Sequence, residues 1–567
     1  MCLLTYKEKF ELTLGMFLLL VFERGTIILL TKTKPVWHDK AIAKNQFQEF
    51  LLKDYSFGDG VLGRIKSNHH SHDRVKREAG FCKKQEKGDF PMETFMSINS
   101  AINGFLWGPV MLIILAGTGL YLSVRGGFIQ FRHFGFVLKR TIGGLFKGTQ
   151  RDAEGHNISP FQAVSTALAS TVGTGNIVGV ATAITIGGPG AVFWMWLSAL
   201  LGMMTKYSEI VLAVKYRETN EDGMYVGGPM YYIKNGVGAK YKNLGGVVAA
   251  VFAVFAALAC FGIGNMTQGN SIAGSMNTTF GIDPKITGIV LAILVAIVIL
   301  GGINSIAKVT EMCVPIMALF YLIFALVILF LNREFIPQAI QGIFVGAFNP
   351  EAVLGGGAGV GIMVAIQMGI ARGVFSNEAG LGSAPIAHAA SSTNEPVEQG
   401  LWGIFEVFVD TILVCSMTAL VILTAQDPAT GELLWKTGNY DGAALTAKAF
   451  EFALPGNWGS MFLTIALLLF AFSTMVGWSY YGEKAWEYLF RKNEKTRRTV
   501  ILIYRICFII AVYIGAVGGL EFVWSVADTL NAAMALPNLV GILLLSGVVI
   551  KETKRYFSKN KTKVKYE

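Results

Sequence analysis

The sequence predicts an all-α membrane protein with about eleven transmembrane helices, and three observations support this fold class. Charged residues make up 15% of the 567 residues, against roughly 25% in soluble proteins. Hydrophobic residues make up 53%, and the mean hydropathy is +0.50. Eleven apolar runs approach the length of a bilayer crossing, about 20 residues, and the 65 glycines are typical of closely packed membrane helices.

These apolar runs define the predicted elements in chain order. They cover residues 104–124, 160–185, 187–214, 246–276, 285–302, 312–331, 358–387, 401–424, 460–482, 500–518 and 526–550. The six cysteines are scattered through the chain without the spacing of a metal site or a disulfide framework. We therefore expect them to be small buried apolar residues.

Lysine and arginine concentrate in three loops, at 125–151, 205–242 and 483–498, and in the tail after Lys551. Cytoplasmic loops of membrane proteins carry such an excess. Eleven spans place all four segments inside, with Met92 outside the cell and the C-terminus in the cytoplasm. The net charge of +10 thus reflects membrane topology, so we predict a lipid bilayer and no nucleic acid as partner.

Residues 1–91 have a different character from the rest of the chain. Their single apolar stretch is interrupted by Glu23 and Arg24, and they hold the histidine-rich string "NHHSHDRVKRE". The histidine spacing is too loose for a metal site. We expect translation to start at Met92, which would make residues 1–91 an atypical extension that is not translated natively.

The remaining chain divides by hydropathy into five parts. Residues 92–159 hold the first, peripheral transmembrane helix and a basic cytoplasmic loop. Two five-helix units follow at 160–331 and 358–550, separated by an extracellular loop at 332–357, and a basic cytoplasmic tail occupies 551–567. Because five is odd, the two units insert in opposite orientations, as in the inverted repeats of secondary transporters.

The first helix of each five-helix unit contains glycines beside small polar residues at mid-membrane depth. The strings are "STVGTGN" at 170–176 and "ARGVFSNEAGLGSAP" at 371–385. We predict that the first and sixth core helices are discontinuous, since paired interruptions in corresponding helices point to a binding site. A helix break frees N–H groups for a carboxylate and C=O groups for a cation.

These glycines have two other possible interpretations. A glycine-rich membrane helix can simply pack closely, but two such stretches at corresponding positions disfavour packing alone. The spacing of Gly173, Gly175 and Gly179 also resembles a dinucleotide-binding turn. That fingerprint requires a preceding strand and a downstream acidic residue, and the following "FWMWLSALLG" has none.

The chain resembles the alanine/glycine:cation symporter family, also called sodium:alanine symporters, over about 92–550. The motifs that carry the resemblance are "METFMSINSAINGFLWGP", "GTGNIVGVATAITIGGPGAVFWMW", "YVGGPMYYI", "ARGVFSNEAGLGSAPIAHAA" and "FAFSTMVGWSYYGEKAWEYLF". The resemblance implies a leucine-transporter-like fold of the amino acid–polyamine–organocation superfamily. It also implies a transporter and no enzyme, which takes up alanine or glycine with sodium as coupling ion by alternating access across a bacterial cell (inner) membrane. No other cofactor is implied, and the oligomeric state stays open.

An amino acid needs donors for its carboxylate, acceptors for its ammonium and a small apolar wall. We expect the N–H groups of Thr174 and Gly175 to bind the carboxylate and the Asn176 amide oxygen to bridge substrate and cation. The other predicted substrate residues are Gln268, Phe375, Ser376, Asn377, Thr474 and Trp478. By similarity to the broader fold, sodium would bind the backbone oxygens of Ala169, Val172 and Phe470 and the hydroxyls of Ser473 and Thr474.

Several charges fall within the predicted spans, where ionisable residues are functional by default. We predict that Arg372 pairs with Glu378, Glu406 or Asp410 in a buried network that holds the second broken helix. Asp528 is placed near an outer end. Glu209, Glu311 and Glu483 are predicted near inner ends, at the interface.

Two alternatives to sodium-coupled transport remain. In the first, Asp410 or Glu378 titrates and protons drive symport of a small amino acid. In the second, the same fold serves as a channel or a receptor. The sequence does not decide the number of sodium ions, the preference between alanine and glycine, or the tolerance of D-isomers.

Overall fold

Helices make up almost all of the described chain in the computed structural model. The structure describes residues 92–145, 157–349, 361–454, 456–518 and 520–564. The predictions for residues 1–91 lie outside this range. Within the described residues, strands are limited to β1, Glu218–Thr219, and β2, Tyr225–Val226, which pair antiparallel. The prediction of a mostly helical architecture is confirmed.

The helices of the first half are α1 (Met92–Leu106), α2 (Pro109–Gly126), α3 (Ile129–Arg132), α4 (Phe134–Leu145), α5 (Pro160–Thr171), α6 (Val180–Gly187), α7 (Gly190–Lys215), α8 (Pro229–Tyr232), α9 (Gly238–Lys240), α10 (Lys242–Phe261), α11 (Thr267–Phe280), α12 (Pro284–Ile299) and α13 (Gly302–Leu331). Those of the second half are α14 (Ile336–Phe348), α15 (Ile362–Asn377), α16 (Ala384–Ala389), α17 (Pro396–Val407), α18 (Ser416–Thr424), α19 (Gly442–Ala453), α20 (Trp458–Leu489), α21 (Glu494–Val517) and α22 (Leu520–Val564). π-Helical turns occur at Gly175–Gly179, Ile233–Val237, Gly262–Met266 and Phe408–Cys415, and 3-10 turns at Arg333–Phe335 and Leu434–Lys436.

Eight helical stretches of the described chain are long and apolar enough to cross a membrane, and a bent pair makes a ninth. The eight are Thr94–Gly126, Gly190–Lys215, Lys242–Phe280, Gly302–Leu331, Pro396–Thr424, Trp458–Leu489, Glu494–Val517 and Trp524–Lys559. The other two predicted spans coincide with shorter helices, α12 and the interrupted pair α15–α16. The count of eleven and the inverted repeat therefore stay predictions.

The first predicted interruption is the bent pair. Ser159 caps α5, because its Oγ accepts from the Gln162 N–H at 3.1 Å and the Gln162 side chain accepts from the Ser159 N–H at 3.0 Å. The helix ends at Thr171, since Val172 is extended, and resumes through the π-helical turn at 175–179 with a bend of 48°. This break exposes main-chain groups inside the protein.

The second predicted interruption separates α15 from α16. Glu378 ends α15 with a φ of 57°, and Gly380 follows with a φ of 97°. Both values lie in the left-handed region, which glycine adopts without strain and other residues rarely enter. The chain then resumes as α16 at Ala384. The residues between 377 and 384 therefore form a non-helical stretch within the bundle.

The segment 332–357, predicted as an external loop, contains helix α14. Its apolar residues Ile343 and Ala347 are buried, and the Ala347 carbonyl accepts from Trp194 Nε1 on α7 at 3.1 Å. Packing against α7 explains why this stretch is helical and not an extended connection. The side of the membrane on which it lies stays a prediction.

Helix α7 lies against both α15 and α17. Glycines permit these close approaches. Gly369 of α15 contacts the Ala191 carbonyl, and Gly403 of α17 contacts Lys206. This packing brings polar residues of α7 and α17 to the second break.

Candidate functional site

Oxygen atoms from α5 and α20 converge where α5 ends. Thr474 Oγ1 lies 3.0 Å from the carbonyl oxygens of Ala169 and Phe470 and 3.4 Å from that of Val172, and its single proton is donated to one of these three acceptors at a time. Ser473 Oγ lies 3.3 Å from the Ala169 carbonyl and 2.8 Å from that of Phe470. The structure thus brings together all five residues that the sequence predicts as the sodium site.

This oxygen cluster has the chemistry of a site for a hard cation. Such cations prefer carbonyl and hydroxyl oxygens, and the carbonyl end of a helix carries partial negative charge. Ser473 and Thr474 are buried. The hydroxyls now donate to the carbonyls, and each hydroxyl oxygen has two acceptor lone pairs. The five oxygens form a preformed candidate for sodium.

The side chain of Asn176 hydrogen-bonds the main chain of the first break. Asn176 Oδ1 accepts from the Gly173 N–H at 2.8 Å. Asn176 Nδ2 donates to Asp410 Oδ1 at 2.7 Å and to the Asp410 carbonyl at 3.1 Å. The amide oxygen that we assigned to substrate and cation therefore satisfies the main chain of the break in this structure.

Gln268 faces the first break, as expected. Its Oε1 accepts from the Thr174 N–H over a long 3.3 Å, while its Nε2 donates to the Ile263 carbonyl at 2.9 Å. The hydroxyl of Thr174 is buried and has no hydrogen-bond partner among the described residues. At the first break, Gln268 Oε1 therefore makes only a long hydrogen bond, and the Thr174 hydroxyl makes none among the described residues.

The two breaks meet directly. A Cβ placed on Gly175 would lie 2.9 Å from Ser376 Cα. Ser376 Oγ donates to Asp410 Oδ2 at 2.9 Å, and Asn377 Nδ2 donates to Thr411 Oγ1 at 3.1 Å. Since Asn176 also donates to Asp410, this one carboxylate joins both broken helices.

Two aromatic residues flank this junction. Phe375 stacks on Trp524 of α22 with a centroid distance of 5.5 Å and an interplanar angle of 21°. Trp478 Nε1 donates to Glu378 Oε1 at 2.8 Å, and its ring packs on Gly264. Both predicted aromatic residues therefore lie beside the breaks in fixed orientations.

The predicted partner of Arg372 is wrong. Arg372 Nη2 lies 3.3 Å from Asp528 Oδ2, so it pairs with α22 and with none of the three carboxylates that we proposed. Glu406 of α17 and Asp410 of the following π-helical turn lie four residues apart, which the sequence shows. The sequence does not show how α22 is rotated toward α15. That rotation decides which acid Arg372 contacts.

The cation that Glu406 contacts is Lys206, which lies within the basic segment 205–242 that the sequence predicts as a cytoplasmic loop. Both side chains are fully buried, and Lys206 Nζ lies 3.1 Å from Glu406 Oε1. Lys206 also donates to the Asn377 carbonyl at 2.8 Å, at the carbonyl end of α15. The loop bounds of 205–242 were wrong at their start, because α7 continues to Lys215, as the apolar run at 187–214 predicts.

A hydrogen-bonded chain extends this ion pair. His388 Nε2 lies 3.1 Å from Glu406 Oε2, and His388 Nδ1 lies 2.8 Å from Gln399 Nε2. Because the Gln399 amide nitrogen is a donor, His388 accepts at Nδ1 and carries its proton on Nε2. A neutral histidine and a charged lysine thus hold Glu406.

Glu209, predicted at the interface, is fully buried instead. Its Oε1 accepts from the Gly380 N–H at 3.0 Å and from Asn538 Nδ2 at 2.6 Å. Asn538 also donates to the Gly380 carbonyl at 2.9 Å. Helices α7 and α22 therefore hold the Gly380 main chain from both sides, and the "TKYSE" string inside an apolar run was the available signal.

Comparisons with known proteins agree with the motif resemblance. A model of the sodium:alanine symporter family matches residues 92–567. The sodium/alanine symporter AgcS of Methanococcus maripaludis is 49% identical over 471 residues, which cover 83% of this chain and 99% of that protein. An uncharacterized transporter of Haemophilus influenzae is 47% identical and covers 82% of this chain and 97% of its own.

Among solved structures, a substrate-bound, outward-open sodium-coupled sialic acid symporter aligns with a TM-score of 0.45 and 13% identity. The alignment covers 78% of this chain and 87% of that one, a similarity too low to carry a functional conclusion. The family match and the two relatives decide the identity: this chain belongs to the sodium:alanine symporter family, whose members are transporters and not enzymes.

Proposed function

We propose that this protein is a secondary active transporter that couples inward sodium movement to the uptake of alanine or glycine by alternating access. The observation that carries this proposal is the cluster of oxygens from Ala169, Val172, Phe470, Ser473 and Thr474 at the end of α5. The similarity to the sodium/alanine symporter AgcS of Methanococcus maripaludis supports alanine as substrate and sodium as coupling ion.

In this proposal the sodium ion sits on the carbonyl end of α5, and the amino acid sits beside it at the first break. The substrate carboxylate takes the Thr174 N–H, whose present bond to Gln268 Oε1 is long at 3.3 Å. Charge-assisted hydrogen bonds are stronger than neutral ones. The carboxylate would therefore displace the glutamine oxygen.

In this proposal, Phe375 and Trp478 limit the size of the substrate's side chain. Phe375 is fixed by its stack on Trp524, and Trp478 by its hydrogen bond to Glu378. Neither ring can swing away without losing these contacts. A closed site between them favours the side chains of alanine and glycine over those of leucine or phenylalanine.

The membrane potential adds to the driving force. A neutral zwitterion carries no net charge, so each sodium ion makes the step electrogenic. One elementary charge moving through 100 mV contributes about 2.3 kcal/mol. We also propose that the protein is oriented as its lysine and arginine distribution predicts, with the C-terminus in the cytoplasm.

The deciding experiment is uptake of labelled alanine into proteoliposomes with an inward sodium gradient. We expect accumulation above the external concentration, and we expect it to vanish when potassium replaces sodium on both sides. Equilibration without accumulation would indicate a channel. Saturable binding of alanine without any transport would indicate a receptor.

Proton coupling is the second candidate, and Asp410 favours it. This fully buried carboxylate contacts only neutral donors, the side chains of Asn176, Ser376 and Thr411, among the described residues. A carboxylate without a cationic partner is a natural proton carrier. Uptake driven by an inward pH gradient in sodium-free buffer would favour protons over sodium.

A further inference from the structure

Asn531 of α22 is a fully buried amide with no internal partner. Neither its Oδ1 nor its Nδ2 has a hydrogen-bond partner within the part of the chain that the structure describes. Burying an amide without hydrogen bonds opposes folding. Two turns further along the same helix, Asn538 is engaged through Nδ2 with Glu209 and Gly380. Among the described residues, Asn531 therefore lacks the hydrogen-bond partners that a buried amide needs.

Helical geometry places Asn531 at the level of the second break. Asp528 of α22 pairs with Arg372, before the break, and Asn538 bonds to Gly380, within it. Asn531 lies between these two contacts, and its position along the helix differs from that of Asp528 by about 4.5 Å. Residues 528 and 531 lie within about 60° of each other around the helix axis, since three residues turn an α-helix by about 300°.

Two further contacts fix the direction of that face. Trp524 stacks on Phe375, and Ala527 packs on Gly262, which begins the π-helical turn before Gln268. Asn531 follows Ala527 by one turn and therefore projects toward the region between this turn and the second broken helix. Gln268, which follows this turn, reaches the first break, where its Oε1 accepts from the Thr174 N–H.

The first break supplies a second polar group of the same kind. The Thr174 hydroxyl is buried and has no partner among the described residues. It lies next to Gly175, which contacts Ser376 of the second break. Two unpartnered polar side chains, one from each half of the core, thus lie at the level where the broken helices meet.

We propose that Asn531 is a substrate-binding residue of this carrier. Its amide offers one acceptor and two N–H donors, which suits a ligand that carries an ammonium and a carboxylate on the same carbon. The oxygen accepts from the substrate ammonium, and the nitrogen donates to the carboxylate. This assignment rests on the proposed function, because it presumes that an amino acid is carried.

The variant Asn531→Leu tests the assignment, because leucine has a similar volume and no polar atoms. If the amide only filled space, its removal would be neutral or stabilising. We expect the melting temperature without alanine to stay equal or rise. We also expect KM for alanine to increase at least about tenfold, since bonds to charged groups are lost, and the stabilisation by alanine to disappear.

The effect of sodium provides the internal control. Sodium alone should raise the melting temperature of Asn531→Leu as much as that of the unaltered protein, because the oxygen cluster of α5 and α20 is unchanged. The matched control is Thr287→Val on α12, which removes another buried hydroxyl without a partner in the described chain. Thr287→Val should leave KM for alanine within twofold.

If Asn531→Leu cannot be purified in folded form, Asn531→Ser keeps one hydroxyl and should raise KM by a smaller factor. An alanine KM within twofold of the original value in either folded variant would overturn the assignment. The two proposals fail separately. Absence of sodium-driven alanine accumulation in the unaltered protein refutes the proposed function, whereas unchanged affinity in the variants of an active carrier refutes only the role of Asn531.

Discussion

Thr474 is the residue on which the proposed sodium site depends most, because its hydroxyl reaches three carbonyls from two helices. We predict that Thr474→Ala raises the sodium concentration for half-maximal alanine uptake about tenfold, since one ligand of a charged species is lost. The measurement is initial uptake rate against sodium concentration at saturating alanine.

The matched control for Thr474→Ala is Ser479→Ala on the same helix. The Ser479 hydroxyl donates to the Val476 carbonyl of its own helix at 2.6 Å, and among the described residues it has no hydrogen bond to α5. Its removal should leave the sodium dependence unchanged. If Thr474→Ala also keeps the original sodium dependence, the oxygen cluster is not the coupling site.

Variants of the buried Lys206–Glu406 ion pair can separate the cost of one unpaired buried charge from the effect of removing both charges. Removing one partner of a buried pair leaves an uncompensated charge and costs about 3–5 kcal/mol. We therefore predict that Lys206→Met lowers the melting temperature of the purified protein strongly. The double variant Lys206→Met with Glu406→Gln should recover a large part of this loss, because both charges are then gone.

An exposed pair provides the comparison for Lys206. Arg498 Nη2 and Glu494 Oε1 lie 2.5 Å apart on α21, and both side chains are more than half exposed. Solvent-exposed pairs contribute about 1 kcal/mol or less, so Arg498→Met should barely change the melting temperature. Equal effects of Lys206→Met and Arg498→Met would contradict the burial of the Lys206–Glu406 pair.

At the scale of elements, the packing of the first broken helix against the second depends on Gly175. A side chain here would press on Ser376, with Cβ only 2.9 Å from its Cα. We predict that Gly175→Ala abolishes alanine uptake even where the protein still reaches the membrane. Uptake rate per amount of membrane-inserted protein is the quantity to measure.

Gly179 is a control within the same π-helical turn, because a Cβ on Gly179 would have no heavy atom within 4 Å. Gly179→Ala should transport normally, and its stability should rise by up to about 1 kcal/mol, since alanine favours helix over glycine. Loss of uptake in both variants would mean that the turn itself must stay flexible, and not that the two breaks need close contact.

The breaks and the oxygen cluster could be predicted from the sequence because their signals are local. Glycines beside small polar residues mark the interruptions, and the Ser473–Thr474 pair has a family pattern. The contacts of Arg372 and Lys206 and the burial of Asn531 could not be predicted. They depend on how α7 and α22 are rotated about their axes, which apolar runs of similar composition do not encode.

At the scale of the whole molecule, the distribution of basic residues predicts that the loop near 490–493 is cytoplasmic and that the segment 425–443 is external. Thr430 and Lys492 are exposed in these two segments. In a variant whose six cysteines are replaced by serine or alanine, Thr430→Cys should react with a membrane-impermeant maleimide in intact cells. Lys492→Cys should react only after permeabilisation. The opposite pattern would reverse the orientation of the protein, while alanine would still enter with sodium, because the ion gradient and not the orientation of a symporter sets the direction of net transport.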